Sequence, residues 1–111
     1  GLEVDLTIEG GERALPVGLD LAAYRIIQEA LTNVRRHSTA TRARVRLALE
    51  PREVRIEVDD DGPARRHEGA DESGHGLIGM RERAALYGGR LEAGPCGAGF
   101  GVRATLPVEG S

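Results

Sequence analysis

Three short stretches hold residues whose types and spacing could do chemistry. In the first, Glu29 and Asn33 are four apart, a spacing that stacks two side chains on one face of a helix, and Arg36 and His37 continue the line. A carboxylate and an amide oxygen placed this way can hold a hard cation. Magnesium suits such a pair, because it takes one or two protein oxygens and completes its shell with water and substrate phosphates. The plainer alternative is a solvated Glu and Asn on an amphipathic helix, and the pair taken alone favours it.

The second stretch is Asp59-Asp60-Asp61-Gly62-Pro63-Ala64, acids at the end of an apolar alternation followed by glycine. Such a pattern is often only a turn. Its chemical reading is a carboxylate that accepts a hydrogen bond from the exocyclic amine of a base. Adenine offers that donor, whereas guanine would present an acceptor oxygen to the carboxylate, and a buried acceptor left unpaired is costly, so the site would select adenine. The third stretch is Gly74-His75-Gly76-Leu77-Ile78-Gly79-Met80-Arg81-Glu82-Arg83. It matches G-x-G-x-x-G formally, but it follows a polar segment and not a strand, so the dinucleotide-binding context is missing. Glycines entering a helix can still present free N–H groups and the helix dipole to a phosphate; a glycine hinge capping a helix fits equally well. His75 is expected to be exposed, and Arg81 and Arg83 to be surface charges.

The elements that must position these residues follow from periodicity. Leu2, Val4, Leu6 and Ile8 alternate with polar residues, predicting a half-buried strand ended by Gly10-Gly11. Leu19, Ala23, Ile26, Ile27, Ala30, Leu31 and Val34 recur at helical spacing and predict a helix over 19–37, with Glu29 and Asn33 bordering its apolar face. Ala43, Val45, Leu47 and Leu49, then Val54, Ile56 and Val58, predict two strands joined by a tight antiparallel connection. Arg42, Arg44 and Arg46 should then lie on a solvated face paired with acids, not on a phosphate-binding patch. The span 61–73 loses periodicity and reads as a mobile loop. A short helix over 78–87 stops at Gly88-Gly89, and closing strands over 91–93 and 102–106 flank a glycine-rich turn. One apolar face per strand predicts a two-layer α+β sandwich, a mixed sheet with helices on one face, in a single domain spanning 1–111.

Composition narrows the class. The chain has 111 residues, enough for a core without staples, and 15 basic against 18 acidic residues give a net charge of −3. That balance, with aromatics at 3%, argues against a nucleic-acid partner. No apolar run is long enough to span a bilayer, so direct membrane contact is not expected. The single Cys96 excludes an internal disulfide framework and fits a reducing, cytoplasmic setting.

Together and in this order, the three stretches resemble the ATP-binding catalytic domain of histidine kinases in the GHKL (gyrase, Hsp90, histidine kinase, MutL) ATPase superfamily. Tyr24 to Asn33 with Arg36-His37 looks like the N box, Asp59 to Gly62 like the G1 box, and Gly74 to Gly79 like the G2 box. Gly76-Leu77-Ile78-Gly79-Met80-Arg81-Glu82-Arg83 followed by Gly88-Gly89 is similar to the NarX/DesK-type branch of sensor kinases. The resemblance implies a Bergerat-type sandwich with ATP between the helices under a lid over 63–74. It implies that Asp60 binds the adenine amine, that Asn33 ligates Mg2+ and that Glu29 assists at the metal or polarises the reacting groups. Arg36 and His37 would lie near the phosphates, and Gly62, Gly74, His75, Gly76, Leu77 and Gly79 would shape the nucleotide site and lid.

It also implies phosphoryl transfer to a histidine on a separate helical dimerisation domain, and a response regulator downstream. That helical domain is not within these 111 residues, and the first residues already read as a strand, so a longer parent protein is expected. The fragment is then expected to be a monomer that binds nucleotide without phosphorylating itself, whether or not the parent is membrane-anchored. Two departures stand out: Ala64 after Pro63 where the family has a second glycine, and Phe100 where many relatives have Thr. They keep open a degenerate binding or docking module, and the superfamily also contains anti-sigma-factor-type serine kinases.

Overall fold

The computed structural model describes residues 2–10, 15, 18–37, 39–62, 70–97 and 99–108. In chain order the elements are β1 (Glu3–Glu9), α1 (Leu19–His37), β2 (Arg42–Leu49), β3 (Glu53–Asp60), α2 (Ala70–Leu86), β4 (Arg90–Cys96) and β5 (Gly99–Pro107). They form one five-stranded sheet in the order β1-β2-β3-β5-β4. β1 runs parallel to β2, a pairing that needs a crossover, and α1 supplies it. The other neighbouring strands are antiparallel.

Both helices lie on one face. α1 packs on β2 and β3, α2 on β4 and β5, and the helices pack against each other. Between them and the sheet sit Ile26, Val45, Val54, Ile56, Val58, Met80 and Leu106, none more than 2% exposed. The expected α+β sandwich with a mixed sheet and one covered face is therefore what the chain adopts.

The ends of the helices are made locally. At the start of α1, Gly18 has φ +94° and its carbonyl accepts from the Ala22 N–H at 2.9 Å. α2 ends at Leu86 and is capped by Gly88, with φ +77°, whose N–H donates to the Ala85 carbonyl, while the Gly89 N–H reaches back to the Ala84 carbonyl. That pair of bonds is the Schellman stop that Gly88-Gly89 signals in the sequence.

The opposite face of the sheet is a charge lattice. Arg46 bonds Glu9 at 3.1 Å and lies 3.6 Å from Glu57; Arg42 bonds Glu3, and Arg55 bonds Glu53. The hydrogen bond that Arg46 donates to Glu9, then the charges of Glu9 and Glu57, raise the Arg46 pKa above its ordinary value. Arg42 and Arg46 of the arginine stripe are thus paired across strands, as expected of a solvated face.

Three expectations need correction. β1 is not half-buried: Val4, Leu6 and Ile8 are 40%, 60% and 57% exposed. They pair with Ala43, Val45 and Leu47 and so share the helix-side face, but α1 sits over β2 and β3, leaving the edge strand uncovered. The second helix starts at Ala70, not near Ile78, so 70–73 are not loop. Gly74 and Gly76 read as helix breakers, yet glycine costs only about 1 kcal/mol in a helix. Once Leu77, Met80 and Ala84 anchor the helix on the core, each further residue adds a backbone bond without a new nucleation step. Finally, β4 and β5 extend to Cys96 and from Gly99, so the turn is much tighter than the span 94–99. Pro95 is tolerated because β4 is an edge strand.

Candidate functional site

The site is built where three elements end together. α1 enters β2 through the short connection 38–41, and the first residues of β2 pair with the last residues of β3. β3 ends on Asp60, and β5 begins beside it at Gly99. α2 leaves through Gly89 into Arg90, which pairs with Thr105 at the other end of the sheet. A 17-residue helix is about 25 Å long, so the start of α2 lies back toward Asp60.

Asp60 is the one buried charged residue among the described residues, with 8% of its surface exposed. Strand alternation puts it in the row of Val54, Ile56 and Val58, on the helix-covered face. Its Oδ1 accepts from the Gly62 N–H at 3.1 Å, which closes the turn after β3 and orients the carboxylate. Two glycines make room for this arrangement. A β-carbon on Gly62 would fall 2.6 Å from both the N and Cα of Ala40. One on Gly99 would come within 2.5 Å of Asp60 Oδ1 and closer still to the Asp60 carbonyl oxygen.

Asp61 fastens the turn to the rest of the site. Its Oδ1 accepts from the N–H groups of Thr41 and Arg42, both at 3.1 Å, and its own N–H donates to the Arg42 carbonyl at 3.1 Å. The end of β3 is therefore tied to the connection that leads back to α1. Asp59 faces the other way, in the charge lattice opposite Arg44. Its Oδ1 is buried with no hydrogen-bond partner among the described residues. A cavity of about 400 Å³ lined by Arg42, Ala43, Arg44, Asp59, Asp60, Asp61 and Gly97 opens at this end. Its lining comes from both faces at this end of the sheet, Ala43 and Asp60 from the helix side and Arg44 and Asp59 from the open side.

On α1, Glu29 and Asn33 are half-buried, flanking the buried line of Ile26, Ala30 and Val34, while Arg36 is exposed. Asn33 is one turn from the end of the helix, on the side of the fold where Asp60 stands. His37 is the last helical residue; its side chain, like those of Gly74, His75 and Gly76 in α2, lies outside the described part of the structure. So does 63–69, most of the span expected as a lid, whereas 70–74 is helical. Leu77 packs against the core, and Gly79 is half-buried with nothing within 4 Å of where its β-carbon would be.

One feature of the anion-site expectation does not hold. Gly74, Gly76 and Gly79 sit inside α2, where their N–H groups belong to the helix ladder; the N–H groups outside that ladder are those of its first turn, 70–73. Sequence reading also passed over Asp61 and Gly99. Alternation along β3 separates Asp59 and Asp61 from Asp60, a usable signal, but only the pairing of β5 with β3 reveals that Gly99 abuts the carboxylate.

Comparison with known proteins gives the family and the fold. Residues 18–110 match the family described as histidine kinase-, DNA gyrase B- and HSP90-like ATPase. The chain is 32% identical over 106 residues to the sensor histidine kinase LiaS of Bacillus subtilis (strain 168), covering 95% of this chain and 29% of that protein. It is 45% identical over 65 residues to the sensor histidine kinase DesK of the same organism, covering 59% of this chain and 18% of that one. The chain thus spans less than a third of the length of these curated relatives. The Acinetobacter baumannii histidine kinase AdeS has the same fold, with a TM-score of 0.76 at 12% identity over 98% of this chain and 55% of that one. The resemblance carried by the three boxes and the match across most of the sequence lead to one conclusion: the chain belongs to the histidine kinase-, DNA gyrase B- and HSP90-like ATPase family, as an ATP-binding domain of the sensor-kinase type.

Proposed function

We propose that this domain binds ATP with magnesium and presents the γ-phosphoryl group to a histidine on a separate helical dimerisation domain of the same parent kinase. The observation that carries this reading is Asp60: a nearly buried carboxylate, oriented by the Gly62 N–H, at the helix-side end of the sheet. A carboxylate in that position accepts a hydrogen bond from the adenine amine and penalises a base that presents an oxygen there.

Glu29 and Asn33 fit the metal role by their chemistry. Both are half-buried oxygen donors one helical turn apart, the few hard ligands that magnesium takes when phosphates and water fill the rest of its shell. The ion, when bound, would neutralise charge on the phosphates. Asn33 supplies the amide oxygen, and Glu29 supports the metal or polarises the reacting groups. Arg36 and His37, at the end of α1, are assigned to the phosphate end. Catalysis in such a site consists of positioning and charge stabilisation.

The parent protein would pass the phosphoryl group on to a response regulator, and this domain would act on the cytoplasmic side as a monomer tethered to its dimerisation domain. No helix among the described residues is long and apolar enough to cross a membrane. The decisive test mixes the purified chain and labelled ATP with the helical segment of its parent protein. Label should appear on the helical segment and never stably on this chain; label retained by this chain alone would contradict the assignment.

A further inference from the structure

A hydrogen bond to Asp60 leaves one discrimination unmade. It rejects guanine and uracil, which carry a carbonyl oxygen where adenine has its amine, but cytosine carries the same kind of exocyclic amine. A site resting on Asp60 alone would accept both ATP and CTP. Something else must measure the size of the base.

Phe100 stands where such a group is needed. β5 pairs with β3 so that Asp59 is opposite Gly101, and alternation sets Phe100 beside Asp60 on the helix-covered face, in the row of Val102, Ala104 and Leu106. Its side chain is half-buried and packs against the core cluster, so the ring is braced from below. Its surroundings are bare: Gly97, Gly99 and Gly101 contribute no side chains, and the absent β-carbon of Gly99 is what lets the start of β5 lie against the Asp60 carboxylate. The chain has only two other aromatic residues, Tyr24 and Tyr87. Tyr87 follows α2 at the far end of the fold, with its hydroxyl against Gly18; Tyr24 is on an exposed part of α1, early in the helix. Phe100 is therefore the aromatic surface at the Asp60 end.

We infer that Phe100 is the wall of the base site that separates purine from pyrimidine nucleotides, Asp60 reading the amine and Phe100 the breadth of the ring. This rests on the nucleotide-binding reading above. A two-ring base covers more of a braced aromatic surface than a one-ring base, and removing such a contact typically weakens binding by about tenfold or more.

The test is calorimetric titration of ATP and CTP, each with magnesium, into the wild-type chain, Phe100→Leu and Phe100→Ala, with thermal denaturation of each. Wild type should prefer ATP, and the ATP-to-CTP affinity ratio should fall by about tenfold in Phe100→Ala. Phe100→Leu keeps most of the buried volume while losing the flat ring; its ratio should fall too, which preserves the test if the alanine variant does not fold. A ratio unchanged in the folded variants, ATP and CTP weakening in parallel, overturns the inference and leaves Phe100 as core packing. Wild type that binds ATP and CTP equally also overturns it, whereas wild type that binds neither overturns the nucleotide reading itself.

Discussion

Gly99→Ala perturbs the carboxylate that the functional reading depends on while adding only one methyl group. Gly99 has no positive φ, so alanine is acceptable to the backbone and the effect is steric. The new carbon would lie within 2.5 Å of Asp60 Oδ1 and 2.8 Å from its carbonyl carbon, against about 3.5 Å for comfortable contact. Two of the three conflicting atoms are backbone, so relief requires β5 to draw away from β3 by about 1 Å. Overpacking of this kind costs about 1–3 kcal/mol, which for a domain of this size lowers Tm by roughly 4–8 °C per kcal/mol. The same displacement moves Asp60 relative to Gly62 and the base, so ATP affinity should drop by at least about tenfold, equivalent to the ~1.4 kcal/mol of a compromised hydrogen bond. Gly94→Ala is the matched control, because nothing lies within 4 Å of its β-carbon position. Thermal denaturation and ATP titration of both variants decide the matter. If Gly99→Ala is as stable as Gly94→Ala and binds ATP like wild type, the close approach of β5 to Asp60 has no functional meaning.

Asp61→Ala removes the acceptor for the Thr41 and Arg42 N–H groups and should cost about 1–3 kcal/mol in urea denaturation, with weakened ATP binding because the turn after β3 loosens. Asp59→Ala, which deletes a carboxylate whose buried oxygen has no partner among the described residues, should cost less than about 0.5 kcal/mol and leave ATP affinity unchanged. Asn33→Ala should reduce ATP affinity by about tenfold in the presence of magnesium and far less in EDTA, a difference that calorimetry reads directly.

Much of the fold was legible because its signals are local. The apolar stripe from Leu19 to Val34 gives α1 to its ends, and the alternation of Val54, Ile56 and Val58 gives both β3 and the face on which Asp60 lands. The resemblance to the three boxes then gave the family. What stayed illegible depends on tertiary placement. Nothing in Val4, Leu6 and Ile8 says that the helix packing ends one strand short of them. Gly74 and Gly76 look alike as breakers or helix interior until Met80 and Ala84 are known to be buried. The glycine-rich turn before β5 conceals two separate roles, Gly97 taking the left-handed turn and Gly99 making room for a carboxylate some forty positions earlier, roughly the contour that only strand pairing closes.

The most direct test of the central claim is titration of ATP and GTP, with magnesium, into the wild-type chain and Asp60→Asn. Asparagine keeps the oxygen that accepts from Gly62, so the turn should survive, while the charged acceptor for the adenine amine is lost. The account predicts that wild type binds ATP and discriminates against GTP, and that the folded variant loses at least about tenfold in ATP affinity. Equal affinity for ATP and GTP in the wild type, or ATP binding that is indifferent to Asp60→Asn, would contradict it.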